Sequence, residues 1–310
     1  MKKTLWMMLG VVLVCALVLA GCTQQQDAAV IGGADEPTEI VVDETITDLS
    51  GNEVTIAAAD KVVSLTPSGT EILFALGCGD NIVGVDAFSD YPAEAAQKEI
   101  VGDFNGPDVE KITALEPDVI FAGTSLQQDA IDQLTELGFA VVSCEATTYD
   151  QIKDSIELIG SIMGKTEQAA ALNEEIAAAE AEVQEKASEV SATVYYAMSW
   201  GDAGNWTSGP GSFINTMIEL CGGTCVTENA EYPWVEFPLE DLTAADPDVI
   251  LMDDTMGSAD DLSVTPGYTE LTAVQNGKVY AIEGDEFTRP GPRIAQALRT
   301  LSEILTGEVQ

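Results

Sequence analysis

The sequence predicts an α/β protein built from two lobes, each with a parallel sheet, that are joined by a long helix. Three observations support this fold class. Short β-branched runs alternate with amphipathic helical segments in both halves of the chain. A segment rich in Ala and Glu, without Gly or Pro, separates the two halves. A thirteen-residue pattern occurs once in each half, and 310 residues are enough for two domains of about 150 residues.

The N-terminal segment predicts the compartment. Two lysines precede the apolar stretch Leu5–Ala20, a pattern typical of a signal peptide. The stretch ends in Leu-Ala-Gly-Cys, which resembles the bacterial lipobox, so we predict a signal peptide at 1–21 and lipidation of Cys22. Acyl chains such as palmitate would anchor the protein outside the cytoplasm on the bacterial cell membrane, and 22–45 would form a flexible tether. The alternative is an ordinary signal peptide followed by an unrelated cysteine.

The N-terminal lobe is predicted at 46–147. It opens with a hairpin, Ile46–Ile56, that has Ser-Gly-Asn at its turn. The predicted strands are short apolar runs, Val62–Leu65, Ile82–Val85, Val119–Ala122 and Ala140–Ser143. The predicted helices are Pro67–Leu76, Glu110–Leu115 and Gln127–Leu137.

Helices are predicted to connect the lobes over 148–190. Isoleucines at 152, 156, 159 and 162 mark one face of the first helix. The second helix is predicted at 166–187, a length of about 33 Å that could bridge two lobes. The alternative is a long surface helix on one lobe.

The C-terminal lobe is predicted at 191–310 and repeats the α/β pattern. Its predicted strands are Thr193–Met198, Val249–Met252 and Lys278–Ile282. Its predicted helices are Phe213–Leu220 and Pro292–Leu305.

The internal repeat relates Val109–Phe121 to Leu239–Leu251, with seven of thirteen positions identical. Each copy reads as a short helix, a Pro-Asp turn and a buried strand. Glu110 and Glu240 occupy the same position, near the start of each helix. We predict that these two glutamates lie on the rim of the molecule and make acidic contacts with a partner. The alternative is that each glutamate only stabilises its own helix N-terminus.

Aromatic residues cluster where loops follow strands or enter the repeated helices. Parallel α/β sheets bind ligands beyond the carboxyl ends of their strands, so these rings predict a cleft for a large, flat, partly apolar ligand. The alternative is that the rings fill the core. The predicted ring positions are Phe88, Phe104, Trp200, Trp206, Trp234 and Phe287.

Composition excludes several classes of protein. Twelve basic residues against 53 acidic ones give a net charge of −41, which is unsuited to binding nucleic acid. The absence of histidine excludes His-dependent catalytic triads and zinc sites, so we predict neither an enzyme nor a metal site, nor a resident cofactor. An extracellular enzyme and an inert adhesion or scaffolding protein are the rival classes. The cysteines after Cys22 predict buried thiols or one local disulfide.

Several motifs together resemble the cobalamin/iron-siderophore substrate-binding proteins of ABC importers. They keep the order and spacing of that family from about residue 60 to 305. They are Val62–Glu71, Phe88–Pro92, Glu110–Ile120, Leu220–Gly223, Pro233-Trp234 and Pro292-Arg293. The resemblance implies two Rossmann-like lobes of the class III binding-protein type, a rigid connecting helix, a ligand in the cleft and a monomer that docks on a permease dimer with its ATPase subunits.

Within the family the resemblance is greatest to its cobalamin-binding members. It places Phe88, Phe104, Trp234 and Phe287 among the cleft aromatics and Asp285 and Arg289 in the C-terminal cleft loop. It also implies docking through Glu110 and Glu240. Phe88 and Phe104 replace a tyrosine and a tryptophan, and Glu286 stands where a tryptophan is expected. The disulfide partner expected for Cys221 is absent, with Ser302 nearest to its position.

These features favour a corrinoid as the transported ligand. Cobalamin is bulky and carries little net charge, whereas catecholate siderophores are anionic and a chain of −41 repels polyanions. Haem commonly takes a Tyr or His ligand with basic partners. A ferric siderophore or haem is the alternative.

Overall fold

The computed structural model describes residues 44–103, 106–123 and 128–308. The predicted signal peptide, Cys22, nearly all of the tether and Phe104 lie outside these ranges. The described residues belong to one compact unit.

The predicted N-terminal hairpin is present. Strand β1 (Glu44–Thr47) pairs in antiparallel fashion with β2 (Glu53–Ile56). The Asp48 carboxylate holds the turn by accepting hydrogen bonds from the backbone N–H groups of Ser50 and Asn52. An aspartate that caps its own turn in this way favours a tight reversal.

A mostly parallel sheet follows the hairpin. Its elements, with the helices between them, are β3 (Val62–Ser64), α1 (Pro67–Ala75), β4 (Ile82–Asp86), β5 (Ile100–Asp103), β6 (Gly106–Pro107), α2 (Val109–Leu115), β7 (Val119–Ala122), α3 (Gln128–Glu136) and β8 (Ala140–Ser143). The strand order is β6-β5-β4-β3-β7-β8, and only the β5–β6 pair is antiparallel. The four strands predicted in this lobe all lie in this sheet. Strands β5 and β6 were not predicted, because β5 reads Ile-Val-Gly-Asp with only two apolar residues and the edge strand β6 has only two residues.

Two helices, α4 (Tyr149–Ile162) and α5 (Thr166–Ala187), lead into a second sheet. The remaining elements are β9 (Thr193–Ala197), β10 (Trp206–Ser208), α6 (Phe213–Leu220), β11 (Thr224–Cys225), β12 (Trp234–Glu236), α7 (Leu239–Ala245), β13 (Val249–Asp253), α8 (Ala259–Ser263), α9 (Thr272–Gln275), β14 (Val279–Ile282), α10 (Gly284–Thr288) and α11 (Ile294–Thr306). The second sheet is parallel, in the order β11-β9-β13-β14. Strands β10 and β12 form a separate antiparallel ribbon.

One hydrophobic cluster runs through both sheets and the helices that cover them. It includes Phe121 of β7, Ile156 of α4, Ile176 of α5, Tyr196 of β9 and Leu298 of α11. Helix α5 therefore buries its apolar face against both halves of the chain, as a bridge does, and is not a surface helix on one lobe. The lobe boundaries remain a prediction, since the described chain packs as one unit.

The sequence repeat is also a structural repeat. Helices α2 and α7 both end at a residue with left-handed backbone, Glu116 at φ 49° and Asp246 at φ 43°. Two residues later, Asp118 and Asp248 each accept a hydrogen bond of 2.8 Å from a backbone N–H at the start of the neighbouring strand. The two copies are thus locked to their sheets by the same contact.

The four described cysteines are free and buried, so Cys221 and Cys225 form no disulfide. Burial raises the pKa of both thiols to about 12. These cysteines therefore act as core residues.

Candidate ligand-binding site

The carboxyl ends of the parallel strands carry most of the predicted site. Each sheet reverses its strand order beside a central strand, β3 in the first sheet and β9 in the second. Ligands of open α/β sheets bind outside such a switch point. The segments that follow β4, β9 and β14 hold the predicted residues Phe88, Trp200, Trp206, Asp285 and Arg289, with Trp206 at the start of β10 and Asp285 in α10.

Phe88 lies in a loop that hydrogen bonds hold in place, and its ring is exposed. The Asp86 carboxylate accepts hydrogen bonds from the Phe88 backbone N–H at 2.8 Å and from the Ser89 hydroxyl at 2.6 Å. The Ser89 hydroxyl also lies 2.8 Å from the Thr70 hydroxyl on α1. Burial raises the pKa of Asp86, and the hydrogen bonds from Ser89 and Phe88 oppose that rise. The loop is thus tied to α1 while 52% of Phe88 remains exposed.

The β10–β12 ribbon presents two indole rings on one face. Ser208 pairs with Trp234, and Trp206 pairs with Glu236. Because side chains alternate along a strand, Trp206 and Trp234 are diagonal neighbours on the same face. Trp234 packs edge-on against Phe213, with ring centroids 6.0 Å apart. Both indoles stay about two-fifths exposed, which leaves their outer surfaces available to a ligand.

Two predicted aromatics do not join this exposed set. Phe287 is only 1% exposed, because the segment after β14 forms the short helix α10 and turns the ring into the shared core. Trp200 is half-buried against the core of the second sheet and lies beside Gly257. In this structure the accessible rings of the predicted set are therefore Phe88, Trp206 and Trp234.

A buried ion cluster joins the two halves of the chain. Glu71 lies on α1, and its side chain is only 1% exposed. It accepts two hydrogen bonds of 2.8 Å from Arg293 and one of 3.2 Å from Arg289. The Arg293 guanidinium also lies over the Tyr91 ring, 4.3 Å from its centroid. Burial would lower the pKa of Arg293, but its bonds with Glu71 outweigh burial and raise it.

Further carboxylates surround the two arginines. Arg289 donates to Asp90 at 2.8 Å and to Asp285 at 2.6 Å. Arg293 donates to Glu283 at 3.0 Å. With Glu71, four carboxylates therefore face two guanidinium groups, and the cluster carries a formal charge of −2.

A cavity of about 270 Å³ lies between the two halves of the chain. Its lining brings together Phe88, Asp285 and Arg289 from the predicted set. The full lining is Pro67, Ser68, Phe88, Glu145, Asp285, Thr288, Arg289 and Pro290. Pockets for drug-sized ligands measure roughly 300–1,000 Å³, so this cavity could enclose only part of a bulky ligand.

A second cavity, of about 1000 Å³, lies beside α1, α5 and the start of α11. None of the predicted ligand-binding residues that the structure describes lines it. Its rim carries Asp80, Glu94 and Glu175, and its floor includes Glu71 and Arg293. We place the site at the smaller cavity, because Phe88, Asp285 and Arg289 of the predicted set line it.

Glu110 and Glu240 are both exposed in the first turn of equivalent helices. Helices α2 and α7 each lead through a tight turn into a parallel strand, β7 or β13. A helix connected in this way runs against its strand, so its first turn lies near the carboxyl edge of the sheet. The two glutamates thus flank the same edge as the site, one for each sheet.

Sequence reasoning missed Glu71 and Asp90 as members of the site. Glu71 had a usable signal, because it is the one acidic residue in the otherwise apolar or small segment Pro67–Ala75. Its partners lie 218 and 222 residues away, so the pairing itself had no local signature. Across the described ranges, no helix is long and apolar enough to cross a membrane, and no cluster of metal-ligating side chains is present.

Comparison with known proteins identifies similar chains. Residues 62–286 match the family described as periplasmic binding protein. The chain is 34% identical over 303 residues to the uncharacterized ABC transporter substrate-binding lipoprotein YvrC of Bacillus subtilis (strain 168), with 94% of each chain covered. It is 30% identical over 247 residues to the vitamin B12-binding protein of Yersinia pestis (strain Pestoides F), which covers 79% of this chain and 86% of the relative.

A solved structure supports the fold. The crystal structure of a possible iron-binding (periplasmic solute-binding) protein from Staphylococcus epidermidis ATCC 12228 superposes with a TM-score of 0.68 at 26% identity. The match covers 79% of this chain and 98% of that one. The two-lobed α/β architecture is therefore shared with a solute-binding protein.

Proposed function

The chain belongs to the periplasmic binding protein family, and we propose that it captures cobalamin or a related corrinoid for an ABC importer. The family predicted from the sequence motifs is confirmed. Its members are extracytoplasmic solute-binding proteins, so the predictions of a binding protein that is not an enzyme and carries no resident cofactor are confirmed too. A corrinoid would be cargo.

The exposed aromatic rings are the observation that favours a corrinoid as the transported ligand. Phe88 stands on one half of the chain and Trp206 and Trp234 on the other, each held by contacts behind it. A corrin macrocycle has broad, largely apolar faces that such rings can cover. Its amide arms suit a rim of hydroxyl and carboxylate acceptors. With no histidine in the chain, the cobalt keeps its own nucleotide base or water as axial ligands.

A ferric siderophore or haem is the second candidate. The similarity to the possible iron-binding protein of Staphylococcus epidermidis favours it. The charge of the site opposes it, because both arginines beside the cavity are already paired with carboxylates. An anionic chelate would find no unpaired arginine there among the described residues.

The proposal includes delivery to a permease. Glu110 and Glu240 would insert into basic pockets of a permease dimer, one for each lobe, and ATPase subunits would drive transport. Cys22 would carry the lipid anchor that keeps the monomeric protein at the membrane. The structural repeat supports the docking role, since it presents both glutamates in the same way.

Thermal unfolding with and without ligand tests the cargo. A ligand present at one hundred times its Kd stabilises the folded state by about 2.7 kcal/mol. We expect cyanocobalamin to raise Tm, and haemin and ferric enterobactin to leave it unchanged. A rise with either iron complex but not with cyanocobalamin would replace the corrinoid by the second candidate. No rise with any of them would reject both.

A further inference from the structure

Arg289 is the basic group at the floor of the proposed site. Among the described residues that line the 270 Å³ cavity, Arg289 is the sole arginine or lysine, and its side chain is 11% exposed. Arginine is a frequent partner for carboxylate and phosphate groups of ligands. On its own, a guanidinium in this place would attract an anionic chelate.

Two carboxylates that pair with Arg289 cancel that charge. Asp90 accepts from one terminal nitrogen of Arg289 at 2.8 Å, and Asp285 accepts from the other at 2.6 Å. Glu71 contributes less to Arg289, because it receives its two shorter bonds from Arg293. Asp90 and Asp285 thus make the shortest bonds to Arg289, and Glu145 adds a further carboxylate to the cavity lining.

Stabilisation of the fold alone does not explain why both Asp90 and Asp285 pair with Arg289. The Asp90 and Asp285 side chains are 62% and 39% exposed, so solvent screens part of their attraction for the mostly buried Arg289. Glu71 already secures the buried contact between the two halves of the chain. Asp90 and Asp285 instead add negative charge next to Arg289, which lines the cavity that a ligand would approach.

We infer that Asp90 and Asp285 determine the charge selectivity of the site, so that ligands of little net charge enter and anionic chelates are rejected. This inference rests on the proposed function and specifies its ligand class. The repulsion acts at short range on a solvent-facing surface, so dissolved salt screens part of it. Specificity of this kind comes from an unfavourable contact with the wrong ligand.

The test uses the double variant Asp90→Asn with Asp285→Asn. Both substitutions keep the shape and an acceptor oxygen but remove the two negative charges. The matched control is Glu94→Gln with Glu283→Gln, which removes two nearby charges that do not contact Arg289. Binding of neutral cyanocobalamin and trianionic ferric enterobactin is measured by calorimetry at low and high salt, and circular dichroism checks the fold.

The double variant should bind ferric enterobactin at least about tenfold more tightly than the wild type, which corresponds to about 1.4 kcal/mol. Asparagine keeps an acceptor oxygen for the amide arms of cyanocobalamin but adds no attraction for this neutral probe, so affinity for cyanocobalamin should not rise, and high salt should reduce the gain for the anion. The control should bind both probes as the wild type does. An equal gain in the control, or no gain in the double variant, would overturn the inference.

Failure of the proposed cargo gives a different result. If the wild type does not bind cyanocobalamin, the corrinoid is wrong, and selectivity is then judged from ferric enterobactin binding by the two double variants. A loss of cyanocobalamin binding in the Asn variant, without any gain for the anion, would show that the carboxylates contact the ligand and do not act as a filter.

Discussion

Replacing Glu71 by glutamine should destabilise the protein strongly, because Glu71 is the buried link between its two halves. The Glu71 carboxylate lies on α1 and accepts three hydrogen bonds from arginines near the C-terminus. Its side chain is 1% exposed, and those of Arg289 and Arg293 are 11% and 13% exposed. These groups are therefore mostly removed from water, apart from the side of Glu71 and Arg293 that lines the 1000 Å³ cavity.

The size of the effect follows from these contacts. A hydrogen bond to a charged group contributes roughly 1.5–3 kcal/mol, and removing one partner of a buried ion pair costs about 3–5 kcal/mol. Glutamine keeps one acceptor oxygen, and Asp90, Asp285 and Glu283 still balance the arginines. We therefore expect Glu71→Gln to lower the free energy of unfolding by about 3 kcal/mol, or Tm by roughly 6–12 °C.

Equilibrium unfolding in urea and calorimetry measure this loss. The control is Glu182→Gln, since Glu182 makes one hydrogen bond of 3.0 Å to Arg299 and its side chain is 56% exposed. The control should cost less than about 1 kcal/mol. If Glu71→Gln costs no more than Glu182→Gln, the ion cluster does not hold the two halves together.

Three further predictions concern the rings, the docking residues and the thiols. Trp234→Ala should weaken corrinoid binding by about 1–3 kcal/mol in calorimetry with little change in circular dichroism, whereas unfolding would mark a core residue. Glu110→Ala with Glu240→Ala should abolish uptake by cells and leave affinity in solution intact; normal uptake would reduce both glutamates to helix-stabilising residues. Native Cys221 and Cys225 should resist thiol reagents at pH 9, because a pKa raised to about 12 leaves little thiolate, and should react once the chain unfolds. Fast native reaction would contradict their burial.

The sequence predicts the sheets and the repeat well. Central parallel strands are buried on both faces, so they appear as continuous apolar runs such as Val119–Ala122 and Val249–Met252. The long helix α5 has the predicted bounds, since neither Gly nor Pro interrupts it. The repeat predicts equivalent positions for Glu110 and Glu240, and both residues lie in the first turn of their helices.

The site was less predictable, because its contacts are long-range. Nothing local distinguishes Trp206, which stays exposed on the β10–β12 ribbon, from Phe287, which α10 turns into the core. The ion cluster depends on side chains more than 200 residues apart. The pattern of apolar residues along a helix or strand predicts which of its faces is buried. It does not predict which other helix or strand that face contacts.

Quenching of indole fluorescence by cyanocobalamin tests the central claim most directly. Once the predicted signal peptide is removed, the tryptophans of the chain are Trp200, Trp206 and Trp234, all in the half that carries the ribbon. A corrinoid seated on this ribbon should quench their emission in a saturable titration with one ligand per chain, and Trp206→Phe with Trp234→Phe should remove most of the response. Emission that is unchanged, or that falls without saturation, would contradict corrinoid capture at these rings.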